Sequence, residues 1–165
     1  MNDIRTEDDA NRNWLTKEEA EAFIGDNSSF YLEKWGSRPD SAFKGWNWAA
    51  MFFSIEWMAY RKMYLEAILY FSVIALISIG LGFVFDVFRM GFDGKIIGDI
   101  FRVLTGVFGN ALYRKKALRA FQKTKYMDTT ERINSLRTMG GVSVIAVVVC
   151  IILEIAIAVL PIILR

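Results

Sequence analysis

Three stretches of the chain are apolar over a length that suits a membrane-crossing helix. Residues 67–85 contain nineteen residues without a charge, and a helix of that length measures roughly 28 Å, close to the ~30 Å hydrocarbon core of a bilayer. Helices in the core of a soluble domain are seldom apolar on every face. Residues 96–113 carry charges only near their start, and residues 142–164 carry Glu154 alone. The pattern predicts spans at 64–86, 96–113 and 142–164.

The stretch 46–60 is rich in aromatic residues and too short to span a bilayer. Trp and Tyr collect at the level of the lipid headgroups, where the ring is apolar and the N–H or O–H reaches water. We therefore predict an interfacial aromatic helix over 46–60. The alternative is a helix packed against the others, with Glu56 turned inward. As interfacial anchors of this aromatic belt we expect Trp46, Trp48, Trp57 and Tyr60.

Residues 1–45 are predicted to form a short cytoplasmic helical segment ahead of the membrane domain, which takes up 46–165. Thr16 and Glu19 fit a capping box, in which each side chain bonds the backbone N–H of the other residue. This pattern predicts a helix from about residue 17 to residue 24. Residues 25–28 then break it, and a second helical piece follows over 30–35.

A basic segment at 114–139 follows the second predicted span directly. Between residues 114 and 137 eight Lys or Arg residues stand against two acids. Such a bias predicts a cytoplasmic loop by the positive-inside rule, and Arg61 and Lys62 agree with that orientation. A sharper hypothesis is contact with anionic lipid headgroups, worth about 1 kcal/mol per basic side chain. The residues expected to make it are Arg114, Lys115, Lys116, Arg119, Lys123 and Lys125.

Composition excludes several classes of site. The chain has no His and one Cys, Cys150, so a disulfide within the chain, a Cys/His metal site and a Ser-His-Asp or Cys-His nucleophile are ruled out. We expect no catalytic residue, bound metal or cofactor. Aromatic residues interleave with the basic segment as in a nucleic-acid patch, but its place beside a span favours lipid, and no nucleic-acid partner is expected.

Glu154 is the residue with the clearest potential for a role inside the membrane. A carboxylate near the centre of a span costs about 2.5–3.5 kcal/mol on insertion scales, so it needs a partner or a proton. Ser143, Ala146, Cys150, Glu154 and Ala158 recur at helical spacing and form a face of small side chains. Glu154 is thus expected to face another helix. Its role is either helix association or the handling of a proton or cation.

Arg102 is a possible partner for Glu154, although Asp99 competes for it. Asp99 and Arg102 stand three residues apart, share a helix face and can pair. Their charges also leave open whether 96–113 spans the bilayer fully or is a buried or interfacial helix. Gly106 and Gly109 further along this helix offer small surfaces for close packing.

Four stretches of the sequence point together to a known family. They are residues 23–31 (FIGDNSSFY), 46–64 (WNWAAMFFSIEWMAYRKMY), 109–113 (GNALY) and 140–143 (GGVS). With them the chain resembles a family of small bacterial membrane proteins known as domain of unknown function 2628. The resemblance implies a membrane location, here the inner (cytoplasmic) membrane of a bacterial cell. It implies no agreed activity and carries over no catalytic residue.

The sequence as a whole predicts an all-α integral membrane protein with three spans, an interfacial aromatic helix and a short N-terminal cytoplasmic helical segment. The expected function is that of a non-enzymatic scaffold, regulator or immunity-type interaction subunit. The alternative is a small transport or lipid-handling component that uses an intramembrane carboxylate. Expected partners are membrane lipids and either another membrane protein or a second copy of the chain.

The predicted topology can be tested with reporter fusions. Because the basic connection is expected in the cytoplasm and three spans follow from the pattern, a reporter fused near Lys125 should be cytoplasmic and one fused after Arg165 extracytoplasmic. Cytoplasmic signals from both fusions would contradict this topology and imply that 96–113 does not cross, or that 46–60 does.

Overall fold

The regular structure of the described residues is entirely helical. A computed structural model describes residues 15–36, 45–91 and 93–163. Parts of the predicted segment 1–45 (1–14 and 37–44) and the last residues of the chain (164 and Arg165) lie outside this range. The helices are α1 Lys17–Ile24, α2 Ser28–Gly36, α3 Trp48–Tyr60, α4 Tyr64–Val87, α5 Lys95–Thr124, α6 Thr129–Met139 and α7 Val144–Ile163. The all-α prediction is confirmed.

Within the described ranges, three helical stretches are long and apolar enough to cross a membrane, namely α4, α5 and Thr129–Leu160, whose apolar part is α7. The bounds of α4 and α7 follow the predicted spans 64–86 and 142–164 closely. α5 differs, because it has 30 residues and runs on from the predicted span 96–113 into the basic segment. The prediction of a loop over 114–139 is wrong, because that segment is helical over most of its length, first in α5 and then in α6.

The helices form two compact units. The first contains the described residues up to Gly45 together with Asn110–Val142, and the second contains Trp46–Gly109 and the described residues from Ser143 onward. The first unit therefore holds α1, α2, the C-terminal part of α5 and α6. The second holds α3, α4, the N-terminal part of α5 and α7.

Four aromatic rings form the core of the first unit. Phe23 of α1, Tyr31 and Trp35 of α2, and Tyr113 of α5 are almost completely buried, and their paired ring centroids lie between 4.8 and 5.7 Å apart. The indole N–H of Trp35 donates to the carbonyl oxygen of Asn110 at 2.9 Å. Tilted and edge-on ring pairs of this kind add stabilisation beyond the area that they bury.

A buried ion pair joins α1 to α6 in the same unit. Arg132 donates to one carboxylate oxygen of Glu19 at 2.8 Å, while the other oxygen accepts the backbone N–H of Thr16 and completes the predicted capping box. The guanidinium also donates to the carbonyls of Lys125 and Met127, just beyond the end of α5. Removing one partner of such a pair costs about 3–5 kcal/mol, because the other charge is left buried.

α6 ends in a close backbone contact with α1. The N–H of Gly141 donates to the carbonyl oxygen of Phe23 at 2.7 Å, and Gly141 has φ +71°, which glycine adopts without a steric penalty. A Cβ added to Gly140 would overlap that same carbonyl group. The absence of a side chain at Gly140 is therefore a condition for the contact.

In the second unit, two glycines allow α3 to lie close to α5. Asn47 caps α3 by accepting the N–H of Ala50 at 2.9 Å, and its own N–H donates to the carbonyl of Gly106 at 2.9 Å. A Cβ on Gly106 or Gly109 would lie 2.9 Å from the Cβ of Met51 or Ala50, respectively. The prediction that these glycines serve close packing is confirmed.

α3 bends at Ser54 and also contacts α4 and α7. Ser54 has non-helical backbone angles, φ 2° and ψ −79°, and its hydroxyl donates to the carbonyl of Ala50 at 3.2 Å. Back-bonding by serine is a recognised cause of helix bending. At the end of α3 the carbonyl of Tyr60 accepts the N–H of Ser143 at 2.8 Å, which ties the start of α7 to α3.

Replacement of Gly140 tests the backbone contact of the first unit. We expect Gly140→Ala to destabilise the unit by about 1–3 kcal/mol, the usual cost of overpacking, because the new methyl meets a carbonyl group that cannot rotate away. Thermal unfolding in lipid nanodiscs, followed by tryptophan emission, measures the effect. Gly98→Ala is the control, since a Cβ there meets nothing within 4 Å. Equal midpoints for the two variants would contradict the contact.

Candidate functional site

A groove in the second unit is the main candidate site. It is lined by α3, α4 and α7, and its volume is about 560 Å³, within the range of about 300–1,000 Å³ typical of ligand pockets. Its walls are mainly apolar. From α7 it takes the small face predicted from the sequence, namely Ser143, Ala146, Cys150 and Glu154, although Ala158 does not reach the lining.

Glu154 lies near the middle of α7 and has a second carboxyl group beside it. The side chain of Glu56 on α3 is near enough to act on its carboxyl electrostatically, and the thiol of Cys150 donates to its Oε1 at 3.7 Å. The expectation that Glu154 faces another helix agrees with this arrangement. The structure also turns Glu56 toward α7, as in the alternative interpretation of 46–60. The depth of α3 in a bilayer stays a prediction.

Arg102 is held by Asp99 rather than by Glu154. Nη1 of Arg102 donates to Oδ1 of Asp99 at 3.2 Å, and each side chain is about half exposed. Arg102 acts on Glu154 only through longer-range electrostatics. Asp99, Arg102 and Glu154 are the residues predicted to form an intramembrane polar site. In the structure Asp99 and Arg102 pair with each other, and Glu56 lies beside Glu154.

The basic residues of α5 divide into two groups. Lys115, Arg119 and Lys123 are exposed and recur every four residues on one face, whereas the other three predicted lipid contacts are partly covered within the first unit. Lys116 is one of these, with its ammonium 5.6 Å from the ring centroid of Phe23. The contact of the exposed stripe with lipid headgroups stays a prediction.

The predicted interfacial anchors also differ in their surroundings. Trp48 is 63% exposed, stacks on Phe52 at 6.0 Å and meets Trp46 edge-on at 5.4 Å. Trp57 is only 5% exposed because its ring packs over Gly109. Tyr60 is half-buried. The exposed aromatic face therefore consists of Trp48, Phe52 and Phe53.

Sequence reasoning did not pick out Phe52 and Phe53 as surface residues or Glu56 as the neighbour of Glu154. Two signals could have done so: the four-residue spacing of Trp48 and Phe52, and the position of Glu56 as the one acid in the aromatic stretch. Among the described residues, no group of three or more His, Cys, Asp or Glu side chains is arranged to hold a metal ion.

Comparison with known proteins identifies one family. The profile of the family described as protein of unknown function (DUF2628) matches residues 13–119. The matched range runs from just before α1 into the basic part of α5. It leaves out the glycine pair at the end of α6 and all of α7, which carries Glu154. No curated protein and no solved structure matches the chain.

The difference between Trp48 and Trp57 can be measured by quenching with brominated lipids. Because Trp48 is exposed and Trp57 is enclosed by helices, Trp48→Phe should remove a large part of the quenchable emission and Trp57→Phe little of it. The two variants are matched controls for each other. A larger loss for Trp57→Phe would show that Trp57, and not Trp48, contacts lipid.

Proposed function

The chain belongs to the family described as protein of unknown function (DUF2628), and from that premise we propose that it is a non-enzymatic integral membrane protein that acts through binding another membrane protein. Its role is that of a scaffold, a regulator or an immunity-type subunit that blocks a membrane-acting partner. The partner is either a different membrane protein or a second copy of this chain.

The observation that carries this proposal is the groove between α3, α4 and α7. Small residues on membrane helices mark surfaces where another helix approaches closely. The small face of α7 lines a groove in which, among the described residues, the chain itself leaves space beside Ser143, Ala146 and Cys150. A partner that fills this space gains packing contacts without rearranging the helices.

The chemistry of the chain supports a binding role over catalysis. A protein without His and with one Cys lacks an imidazole general base, the Ser-His and Cys-His nucleophile pairs, and the Cys/His metal sites that many hydrolases and lipid-modifying enzymes use. The polar side chains that line the groove are the carboxyl of Glu154, the hydroxyls of Ser143 and Tyr64, and the thiol of Cys150. Binding needs only shape and a few polar contacts, which this groove has.

We place the protein in the inner membrane of a bacterial cell, with the N-terminal segment in the cytoplasm. Three helices of spanning length support a membrane location. The excess of basic residues from Arg114 onward supports the orientation through the positive-inside rule. Contact of Lys115, Arg119 and Lys123 with anionic lipid headgroups fits the same orientation, since that leaflet is negatively charged.

A second function is favoured by one specific arrangement, the electrostatic proximity of the Glu56 and Glu154 carboxyls. Carboxyl groups inside membranes often mark the path of a proton or another ion. A small transport or lipid-handling component would use this pair as its working group. The two functions predict different effects of Glu154→Gln, because glutamine hydrogen-bonds like a protonated carboxyl but cannot titrate. Partner binding should survive this substitution, whereas transport should be lost.

Purification in native lipid, followed by mass spectrometry, tests the proposed function. We expect one membrane protein to be retained in a fixed ratio to the chain. Glu154→Leu should lower that retention roughly fivefold, the effect of about 1 kcal/mol from a polar contact between membrane helices. Glu154→Gln should retain the partner, because the amide keeps the hydrogen-bonding capacity in the same space.

Ile155→Leu is the control, since Ile155 lies on α7 outside the groove lining and a volume-conserving change there should leave retention unaltered. Retention of a lipid or solute in place of a protein would contradict the interaction role. Glu154→Gln could also leave assembly intact and still give the same phenotype as deletion of the protein. That result would contradict the interaction role and favour the transport alternative.

A further inference from the structure

A cavity in the first unit lies between α1 and α6. Its volume is about 410 Å³, within the range of about 300–1,000 Å³ typical of ligand pockets. The residues that line it are Glu18, Glu21, Ala22 and Gly25 on the side of α1, and Ile133, Arg137 and Gly141 on the side of α6. Ala22 and Ile133 are half-buried, whereas the three charged side chains are exposed. The cavity therefore combines a small apolar floor with accessible charges of both signs.

The charges of the cavity are of opposite sign and are not paired across it. Within the described part of the chain, the side chains of Arg137 and Glu18 make no ion pair or hydrogen bond. Glu21 has only a loose pair with Lys17 of its own helix, at 3.8 Å and exposed to solvent. Two carboxylates on α1 and one guanidinium on α6 thus share a cavity without contacting each other directly.

The separation of these charges is fixed by a backbone contact at one end of the cavity. Gly141 donates its N–H to the carbonyl oxygen of Phe23 at 2.7 Å, which holds the residues after α6 against α1. Gly25, with φ +80°, ends α1, and a Cβ there would meet nothing within 4 Å, so the space beside it is open. Charges held on two helices that are already packed together need little reorganisation to bind a ligand.

We infer that this cavity binds a phosphoethanolamine group, in which a short carbon linker joins a primary ammonium to a phosphate. The ammonium donates hydrogen bonds to the carboxylates of Glu18 and Glu21. The guanidinium of Arg137 binds the phosphate, for which the planar fork of arginine is well suited. The site is built from residues of the first unit and does not rest on the function proposed for the groove of the second.

The place of the cavity along the chain indicates where such a group comes from. Gly141 precedes Val144, the first residue of α7, by three positions, and α7 is the apolar part of a stretch able to span a membrane. Polar residues that directly precede a span lie at the level of the lipid headgroups. The headgroup of an aminophospholipid is therefore one source of the ligand, and soluble phosphoethanolamine is the other.

Other small ligands fit the charges of the cavity less well. A simple cation leaves Arg137 without a partner, and a simple anion meets the like charges of Glu18 and Glu21. Phosphocholine carries both charges, but its quaternary ammonium has no N–H to donate to a carboxylate. A free amino acid bears both charges on one carbon, which shortens its reach between two packed helices whose axes lie about 8–10 Å apart.

Competition between headgroups tests the inference on the full chain. In the first arm, nanodiscs contain equal amounts of phosphatidylethanolamine, phosphatidylcholine and phosphatidylglycerol with the same acyl chains, and native mass spectrometry counts the lipids that stay bound after release into mild detergent. In the second arm, the chain in nanodiscs of phosphatidylcholine alone is titrated with phosphoethanolamine or phosphocholine and followed by calorimetry. We expect a preference of about tenfold for the ethanolamine form over the choline form, the effect of a hydrogen bond to a charged group. A preference in the first arm alone assigns the lipid headgroup as the ligand, and one in the second arm assigns the soluble molecule.

Substitutions separate the two halves of the site. The double variant Glu18→Gln, Glu21→Gln should lose the preference for the ethanolamine form, while Arg137→Gln should lower its binding about tenfold, because the phosphate loses its partner. Glu33→Gln and Lys95→Gln are matched controls, since both side chains are exposed and lie outside the cavity lining. Unfolding midpoints from tryptophan emission verify that each variant is folded, and the comparison of headgroups on the unaltered chain stands without any variant.

Equal binding of the ethanolamine and choline forms in both arms would overturn the inference, and so would no binding of either. Retention of phosphatidylglycerol alone would also overturn it, because an anionic headgroup needs only basic residues. A preference for ethanolamine that survives both in the double variant and in Arg137→Gln would place the binding elsewhere in the chain and refute the site.

Discussion

Close approach of helices at glycine is the constraint on which both units depend. Gly140 lies against the carbonyl group of Phe23 in the first unit, and Gly106 and Gly109 lie against the Cβ atoms of α3 in the second. These neighbouring atoms belong to the backbone or are attached to it directly, so they cannot rotate away from an added methyl group. Between membrane helices, where lipid tails compete for apolar surface, such packing is a main source of association.

The parts of the fold that depend on local sequence could be predicted. α1 and its capping box follow from Thr16 and Glu19, and α4 and α7 follow from long apolar runs. The packing role of Gly106 and Gly109 was also accessible, because small residues inside an apolar helix have few other uses. In each case the signal lies within one helix and needs no knowledge of its neighbours.

The other features depend on contacts between distant residues. Glu19 and Arg132 are 113 positions apart, and nothing near either residue indicates the other. Glu56 meets Glu154 only because α3 packs against α7. The apolar pattern stops at Tyr113, yet α5 continues, since Ala117, Ala120 and Phe121 are buried in the first unit. The basic residues beside them lower the local hydropathy, which predicts that the apolar helix ends there. Burial of one face is nevertheless enough for α5 to continue as a helix.

The contact between Gly140 and the Phe23 carbonyl has a consequence for evolution. The carbonyl belongs to the backbone, so no substitution at position 23 compensates for a side chain at position 140. Related sequences should therefore keep glycine at 140 whatever residue occupies position 23, and the two positions should show no correlated change. Glu19 and Arg132 meet through their side chains and are free to change together. The tightest contact of the first unit thus leaves no covariation signal, while the ion pair beside it does.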